Sequence, residues 1–192
     1  MIDRSMLWFK DFLRGDDPMM WLTHLDEIVK AAIVRDSSCS KPAHCDDGAK
    51  IVGSVAFGKN CVVGHSTLVV GPAIFGDNCV VGHCSEVARS IFGNDSRVAH
   101  FNYVGDSVIG SNVLLGGGTL CANFRFDEKN VSVKIDDKKY DTGLQKLGSI
   151  IGDGCKTAAG AVLNPGTLLG KQCIVFPQTK VFGYYAEKTT IK

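Results

Sequence analysis

Glycine recurs at positions 53, 58, 64, 71, 76, 82, 93, 105, 110 and 116, with Ala88 and Ala99 in the two remaining slots, a period of six residues. An aliphatic residue or Phe precedes almost every slot, as Phe57, Val63, Val81, Phe92, Val98 and Leu115 do, and a smaller or branched residue follows three places on. Three hexads close one turn, so the columns repeat at 18, 17 and 17 residues, as in Gly64, Gly82, Ala99 and Gly116. This pattern specifies a triangular parallel β-helix in which each short strand stacks on its equivalent one coil away, at the sheet spacing of about 4.8 Å. The aliphatic residue fills the prism, the smaller one fits beside it, and the sharp corner calls for Gly.

Residues 1–50 precede the coil. Met6, Phe9 and Leu13 share a helical face, Gly15-Asp16-Asp17-Pro18 reads as a turn with Asp17 as N-cap, and Leu22, Leu25, Val29, Ala32 and Ile33 predict a second amphipathic helix that packs on the coil or on a neighbour. Residues 36–50 read as a linker, 51–180 as the coil and 181–192 as a C-terminal tail. The repeat stops over residues 121–150 and resumes at Ile151-Gly152; this excursion contains the strand-like Val131-Ser132-Val133-Lys134-Ile135. A loop that leaves a rigid scaffold is where a site is usually built. The expected fold is therefore an all-β core, a parallel β-helix, with a short N-terminal α-helical segment and one long excursion.

Asp3, Arg4, Lys10 and Asp11 make the first residues too charged for a secretory core, and no apolar run is long enough to cross a membrane, so a cytoplasmic protein with no membrane partner is expected. A net charge of +1 over 192 residues gives no basic footprint for nucleic acid. Of the eight cysteines, Cys61, Cys79, Cys155 and Cys173 each stand three residues after a slot glycine, where cysteine acts as a compact hydrophobe; no Cys-x-x-Cys pair occurs, and free thiols with no metal are expected.

His65, His83 and His100 are spaced 18 and 17 apart and should form an outward ladder at one corner. His100 stands out because Asn102 and Tyr103 share its coil and the excursion follows within two coils. A stacked imidazole neighbour would disfavour its protonation and keep it available as a base.

Several stretches together carry a more specific resemblance: Glu86-Val87, His100-Phe101-Asn102-Tyr103-Val104-Gly105-Asp106, Ile109-Gly110-Ser111-Asn112-Val113, Gly116-Gly117-Gly118-Thr119, Asn123 to Lys129, and Lys146 to Asp153. From about Val52 to Thr179 the chain resembles the acetyltransferase domain of sugar-1-phosphate nucleotidylyltransferase/acetyltransferases, and its last two stretches are similar to the archaeal branch. The resemblance implies a left-handed coil, a homotrimer with sites between subunits, and acetyl-CoA-dependent N-acetylation of a hexosamine 1-phosphate (glucosamine 1-phosphate or galactosamine 1-phosphate) in nucleotide-sugar biosynthesis. It implies His100 as the general base and Asn123 as the side chain orienting amine and acetyl groups. Tyr103 and Lys129 would contact sugar or phosphate, the backbone N–H near Gly117 would receive the acetyl carbonyl, and Ala159 would wall the pantetheine arm. Arg125 is added as a substrate ligand from its charge and position, and Lys171, with Lys156 and Lys180, as a partner of the CoA phosphates.

Three positions depart from the family pattern: Ala88 and Ser132 stand where branches of the family have lysines, and Leu114 where the bacterial enzyme has an asparagine. These departures leave open an acetyltransferase acting on another amino-sugar acceptor. A γ-type carbonic anhydrase-like zinc enzyme and a non-catalytic scaffold homologue are the other readings; the first needs a third histidine four or five residues from His65 or His100, and neither has one.

Overall fold

The computed structural model describes residues 24–135 and 138–192. Short strands stack into three parallel sheets, one per side of a prism. Face A has eight strands, from His44–Cys45 to Thr190–Ile191; face B has seven, from Lys50–Val52 to Lys180–Val181; face C has seven, from Val55–Phe57 to Tyr184–Tyr185. The chain visits the faces in the order A, B, C throughout. The coil thus starts inside the segment expected to be a linker and ends inside the expected tail. The expected helices over Met6 to Leu13, with the Asp17 cap and Leu22, lie outside the described residues.

The alternation of each strand sorts the core. Val63, Val81, Val98 and Leu115 point inward from face A, Val69, Val87, Val104 and Cys121 from face B, and Phe57, Phe75 and Phe92 from face C. The three Phe rings stack at 5.1 and 4.9 Å between centroids, with planes nearly parallel, as their common column predicts. All eight cysteines are free thiols, and Cys61, Cys79, Cys155 and Cys173 are buried in the small slot beside the aliphatic residue.

Apart from Gly53, which has φ 80°, the slot glycines of residues 58–116 serve close approach rather than the left-handed turn. A Cβ on Gly82 would stand 2.0 Å from the Ala99 carbonyl oxygen of the next coil, so the stacking distance itself excludes a side chain there. Positive φ falls instead two residues after the slot, on Asn60, Asn78, Asp95 and Asn112 at the edge between faces C and A, at 55° to 60°. Asn and Asp tolerate that conformation because their short side chains find local partners. Here they bond along the axis, Asn60 Nδ2 to Asn78 Oδ1 (3.0 Å) and Asn78 Nδ2 to Asp95 Oδ1 (2.9 Å).

The α-helix Leu25–Arg35 lies on the outside of face C. Val29 is fully buried against Ala56, Ile74, Ile91 and Val108, the outward residues of successive face C strands. Higher up, the excursion leaves after the face B strand Leu120–Cys121 and returns to face C at Ser149–Ile151. Within it, Ser132–Ile135 and Lys138–Asp141 pair as an antiparallel hairpin. Val131, Val133 and Leu147 are buried with Leu168, which pins the hairpin to the prism. Among the described residues no helix is long and apolar enough to cross a membrane.

Candidate functional site

The edge between faces A and B carries one column of interest. The backbone bonds Cys84 N–H to His65 O (3.0 Å), Phe101 N–H to His83 O (3.1 Å), Gly118 N–H to His100 O (2.8 Å) and Gly160 N–H to Gly117 O (2.9 Å) put His65, His83, His100, Gly117 and Ala159 at equivalent places in five successive coils. His100 is exposed, and Gly117 lies one sheet spacing, about 4.8 Å, along the axis from it. A Cβ on Gly117 would meet only the His100 carbonyl oxygen, at 3.6 Å. Gly116 and Gly118 both spend their N–H groups on neighbouring coils, whereas among the described residues no acceptor takes the Gly117 N–H. This corner is therefore a bare amide beside an exposed imidazole.

The histidine ladder is shorter than its spacing suggests. His65 and His83 stack with centroids 5.6 Å apart and planes 8° from parallel. The third rung is Phe101, whose edge meets the His83 ring at 5.6 Å and 78°. Phe101 takes a positive φ of 57° at this corner, so the residue after His100, rather than His100, reaches His83. The expected imidazole neighbour for His100 is absent from the described contacts; its ring lies 6.5 Å from that of Phe101.

The edge between faces B and C holds Asn123, the first part of the excursion. Arg89 and Asp106 occupy equivalent corner positions one coil apart, both with positive φ. Arg89 grips Asp106 through two parallel bonds, Nε to Oδ1 and Nη2 to Oδ2, each 2.7 Å. The Asn123 amide donates to the same Asp106 Oδ2 and lies beside the Tyr103 hydroxyl, both next to Gly105. Both Asp106 and Asn123 are buried. Burial, followed by the negative charges of Asp106 and Glu86, pushes the Tyr103 phenol above its ordinary value. Gly105 makes room for this contact, since a Cβ there would stand 2.5 Å from both the Tyr103 oxygen and the Asn123 amide nitrogen. Sequence reasoning missed Arg89 and Asp106 as the clamp on Asn123. The signal was opposite charges 17 residues apart, one coil, at the same corner.

Further along the excursion a cavity of about 580 Å³ is lined by Arg125, Glu128, Lys129, Asn130, Ser132, Lys139 and Asp141. Arg125 reaches it but is committed elsewhere: its Nε and Nη2 donate to the two oxygens of Asp127 at 2.8 and 2.6 Å, and that pair holds the Asp127 carboxyl down at about 2. The charge expected to meet a substrate is thus neutralised locally. Lys171 stands at the third edge, between faces C and A, where it pairs with Asp153 at 3.2 Å. The structure does not bring it to Gly117 and Ala159 within one chain.

The two main groups also sit apart. His100 follows a face A strand, while Asn123 follows a face B strand. Six residues of near-extended chain separate the edges, roughly 15–20 Å at about 3.3 Å per residue. One chain offers an imidazole and a bare amide at one edge, and a clamped carboxamide, a phenol and a cationic cavity at or beyond the next.

No family model matches the chain. A bifunctional sugar-1-phosphate nucleotidylyltransferase/acetyltransferase from Sulfurisphaera tokodaii is 40% identical over 92 residues, covering 48% of this chain and 23% of that protein. The bifunctional protein GlmU of Methanocaldococcus jannaschii is 43% identical over 89 residues, covering 46% and 22%. GlmU of a Synechococcus strain is 29% identical over 150 residues, covering 78% and 25%. Among solved structures, the N-acyltransferase AntD from Bacillus cereus aligns at a TM-score of 0.32 and 12% identity, covering 72% of this chain and 75% of that one, a likeness too low to bear on function. The chain spans about a quarter of the length of the curated relatives it matches, and over about half of its own residues it is similar to bifunctional sugar-1-phosphate nucleotidylyltransferase/acetyltransferases.

Proposed function

We propose that the protein transfers the acetyl group of acetyl-CoA to the amine of a hexosamine 1-phosphate. The observation that carries this reading is the corner where the exposed His100 stands one coil from the unengaged, side-chain-free amide of Gly117. An alkylammonium becomes a nucleophile only after losing a proton, and His100 is the base in position to take it. The amine then attacks the thioester carbonyl. The Gly117 N–H donates to the oxyanion that forms, and CoA leaves as the thiol. Ala159, one coil further along the same column, leaves a low wall for the pantetheine arm. Resemblance to the curated relatives, named for sugar-1-phosphate and acetyltransferase activities, supports the substrate class.

Asn123 belongs to the same site as His100 only if a second copy supplies it, and Lys129 and the Tyr103 hydroxyl beside it then come from that copy too. The edge that carries Asn123 lies a full prism side from His100, and Asn123 is held in place by Asp106. A cyclic trimer sets the A–B edge of each copy against the B–C edge of the next and closes three equivalent sites.

The test is thiol release from acetyl-CoA with a panel of hexosamines and their 1-phosphates. His100→Ala should lower the rate about 10²–10⁴-fold; activity that survives the substitution removes His100 from the mechanism. Coexpressing His100→Ala with Asn123→Ala chains tests the shared site. Random mixing rebuilds about a quarter of the sites if each takes its residues from two copies of a cyclic trimer, and none if each lies within one chain.

A further inference from the structure

We infer that Lys139, on the second strand of the excursion hairpin, is a phosphate-recognising residue of the acceptor site, acting with Lys129 and the Ser132 hydroxyl. This rests on the acetyl-transfer reading above and names which group of the acceptor the cavity reads.

The hairpin register makes the argument. Ser132 pairs with Asp141, Val133 with Tyr140 and Lys134 with Lys139. Cross-strand partners share a face, so Ser132, Lys134, Lys139 and Asp141 lie on one face of the hairpin and Val133 and Tyr140 on the other; of the first four, Lys134 alone does not line the cavity. Val133 is buried against Val131, Leu147 and Leu168, which fixes the hairpin to the prism and turns the opposite face outward. Ser132, Lys139 and Asp141 from that polar face line the 580 Å³ cavity, and Arg125, Glu128, Lys129 and Asn130 from the loop supply the rest of its lining. The cavity therefore holds two ammonium groups, Lys129 from the loop and Lys139 from the hairpin. Among the described residues, neither has a carboxylate within ion-pair distance. Arg125, the third cation, is already taken by Asp127.

A phosphate monoester dianion suits two free ammonium groups and a hydroxyl, each able to donate to one of its oxygens. The two carboxylates in the lining, Glu128 and Asp141, suit the hydroxyls of a sugar ring. Asp141 already accepts the Gly143 N–H at 2.9 Å and is held in a fixed orientation. Asn123 lies two residues upstream of Arg125, within about 7 Å of extended chain, so a ligand held in the cavity by its phosphate places its ring toward the Asn123–Tyr103 pair. The position expected to carry a second phosphate-binding lysine is Ser132; the charge returns from Lys139, two residues from Ser132's cross-strand partner Asp141.

The experiment compares wild type, Lys139→Ala and Lys59→Ala as intact oligomers, each checked for native circular dichroism. Thiol release is followed with glucosamine and with glucosamine 1-phosphate, and glucosamine 1-phosphate binding is measured directly by calorimetry. Loss of one charge-assisted contact should lower the preference for the phosphorylated acceptor, the ratio of the two kcat/KM values, about 10- to 100-fold in Lys139→Ala. Lys59, exposed beside the first strand of face C and remote from the cavity, should leave the ratio within about twofold when replaced, as expected of a surface charge. A ratio that Lys139→Ala does not move overturns the assignment, and so does a wild type that treats the two acceptors alike, although acetyl transfer then stands. If no acceptor releases thiol, the acetyl-transfer reading fails by itself; weaker binding of glucosamine 1-phosphate to Lys139→Ala then still supports the phosphate site, and unchanged or absent binding overturns it.

Discussion

Replacing Arg89 tests whether a buried clamp, rather than the loop's own stiffness, positions Asn123. The guanidinium meets Asp106 through two bonds of 2.7 Å, with the carboxylate side chain 12% exposed and the arginine 35% exposed. Breaking a fully buried pair costs about 3–5 kcal/mol because it strands the remaining charge. Arg89 is a third open to water, which screens the loss, so Arg89→Ala should cost about 2 kcal/mol. The backbone provides an internal control. Arg89 sits at φ 47°, a conformation that costs a residue with a Cβ about 1 kcal/mol and glycine nothing. Arg89→Gly loses the same guanidinium but relieves that strain, so it should cost only about 1 kcal/mol. At about 2–4 °C per kcal/mol for a chain of this size, the melting temperature should fall about 4–8 °C for the alanine variant and about 2–4 °C for the glycine variant. In both, Asn123 loses the fixed acceptor that holds its amide, and kcat should fall about tenfold or more because small misplacements of an orienting group are costly. KM for acetyl-CoA, which the proposed site holds at another edge of the same chain, should hardly move. Scanning calorimetry with steady-state kinetics reads all of these. If both variants melt within about 1 °C of wild type, or turn over at the wild-type rate, the clamp does not do what its geometry indicates.

Thiol accessibility gives a direct check of the coil register: of the eight cysteines only Cys45 and Cys84 are exposed, so a thiol reagent should titrate two groups in the native protein and eight after denaturation. Burial reinforces the protection, pushing the Cys121 and Cys155 thiols up to about 12, and a native count well above two would mean that the small inward slots are open to solvent. Tyr103 should keep its proton above the usual tyrosine range, first because of burial and then because of Asp106 and Glu86. The unfolded chain ionises that phenol first as pH rises, so the stability it contributes is complete below about pH 10 and declines above it. The difference in tyrosinate absorbance between wild type and Tyr103→Phe during an alkaline titration isolates the group, and an inflection at or below the ordinary tyrosine value would contradict the buried network.

The hexads carried the scaffold because every residue in them obeys the same two constraints, an interior to fill and a coil to stack against. The Phe57, Phe75 and Phe92 column and the cysteine slots follow from counting alone. The counted glycines, however, concealed their cause. Gly82 is small because Ala99 lies on top of it, and the left-handed corners fall to Asn60, Asn78, Asp95 and Asn112, whose own spacing of 18, 17 and 17 was equally readable. The second hairpin strand, Lys138–Asp141, read as a polar run because the buried contacts that hold the hairpin come mainly from Val131, Val133 and Leu147.

The candidate site was legible as residue types and not as a place. His100, Asn123 and Lys129 lie within 30 residues of sequence, which invites the assumption of one cleft. Yet in a three-sided coil the edge a residue occupies is set by which strand it follows. His100 follows Arg97–Val98 on face A, and Asn123 follows Leu120–Cys121 on face B. Nearness in sequence therefore becomes separation by a prism side. Only a long mobile arm or a second chain could restore contact, and the arm is ruled out for Asn123 because its amide is bound to Asp106 and its carbonyl to the Leu147 N–H. The features that hold Asn123 rigid are thus the same ones that oblige a site built from both edges to draw on two copies of the chain.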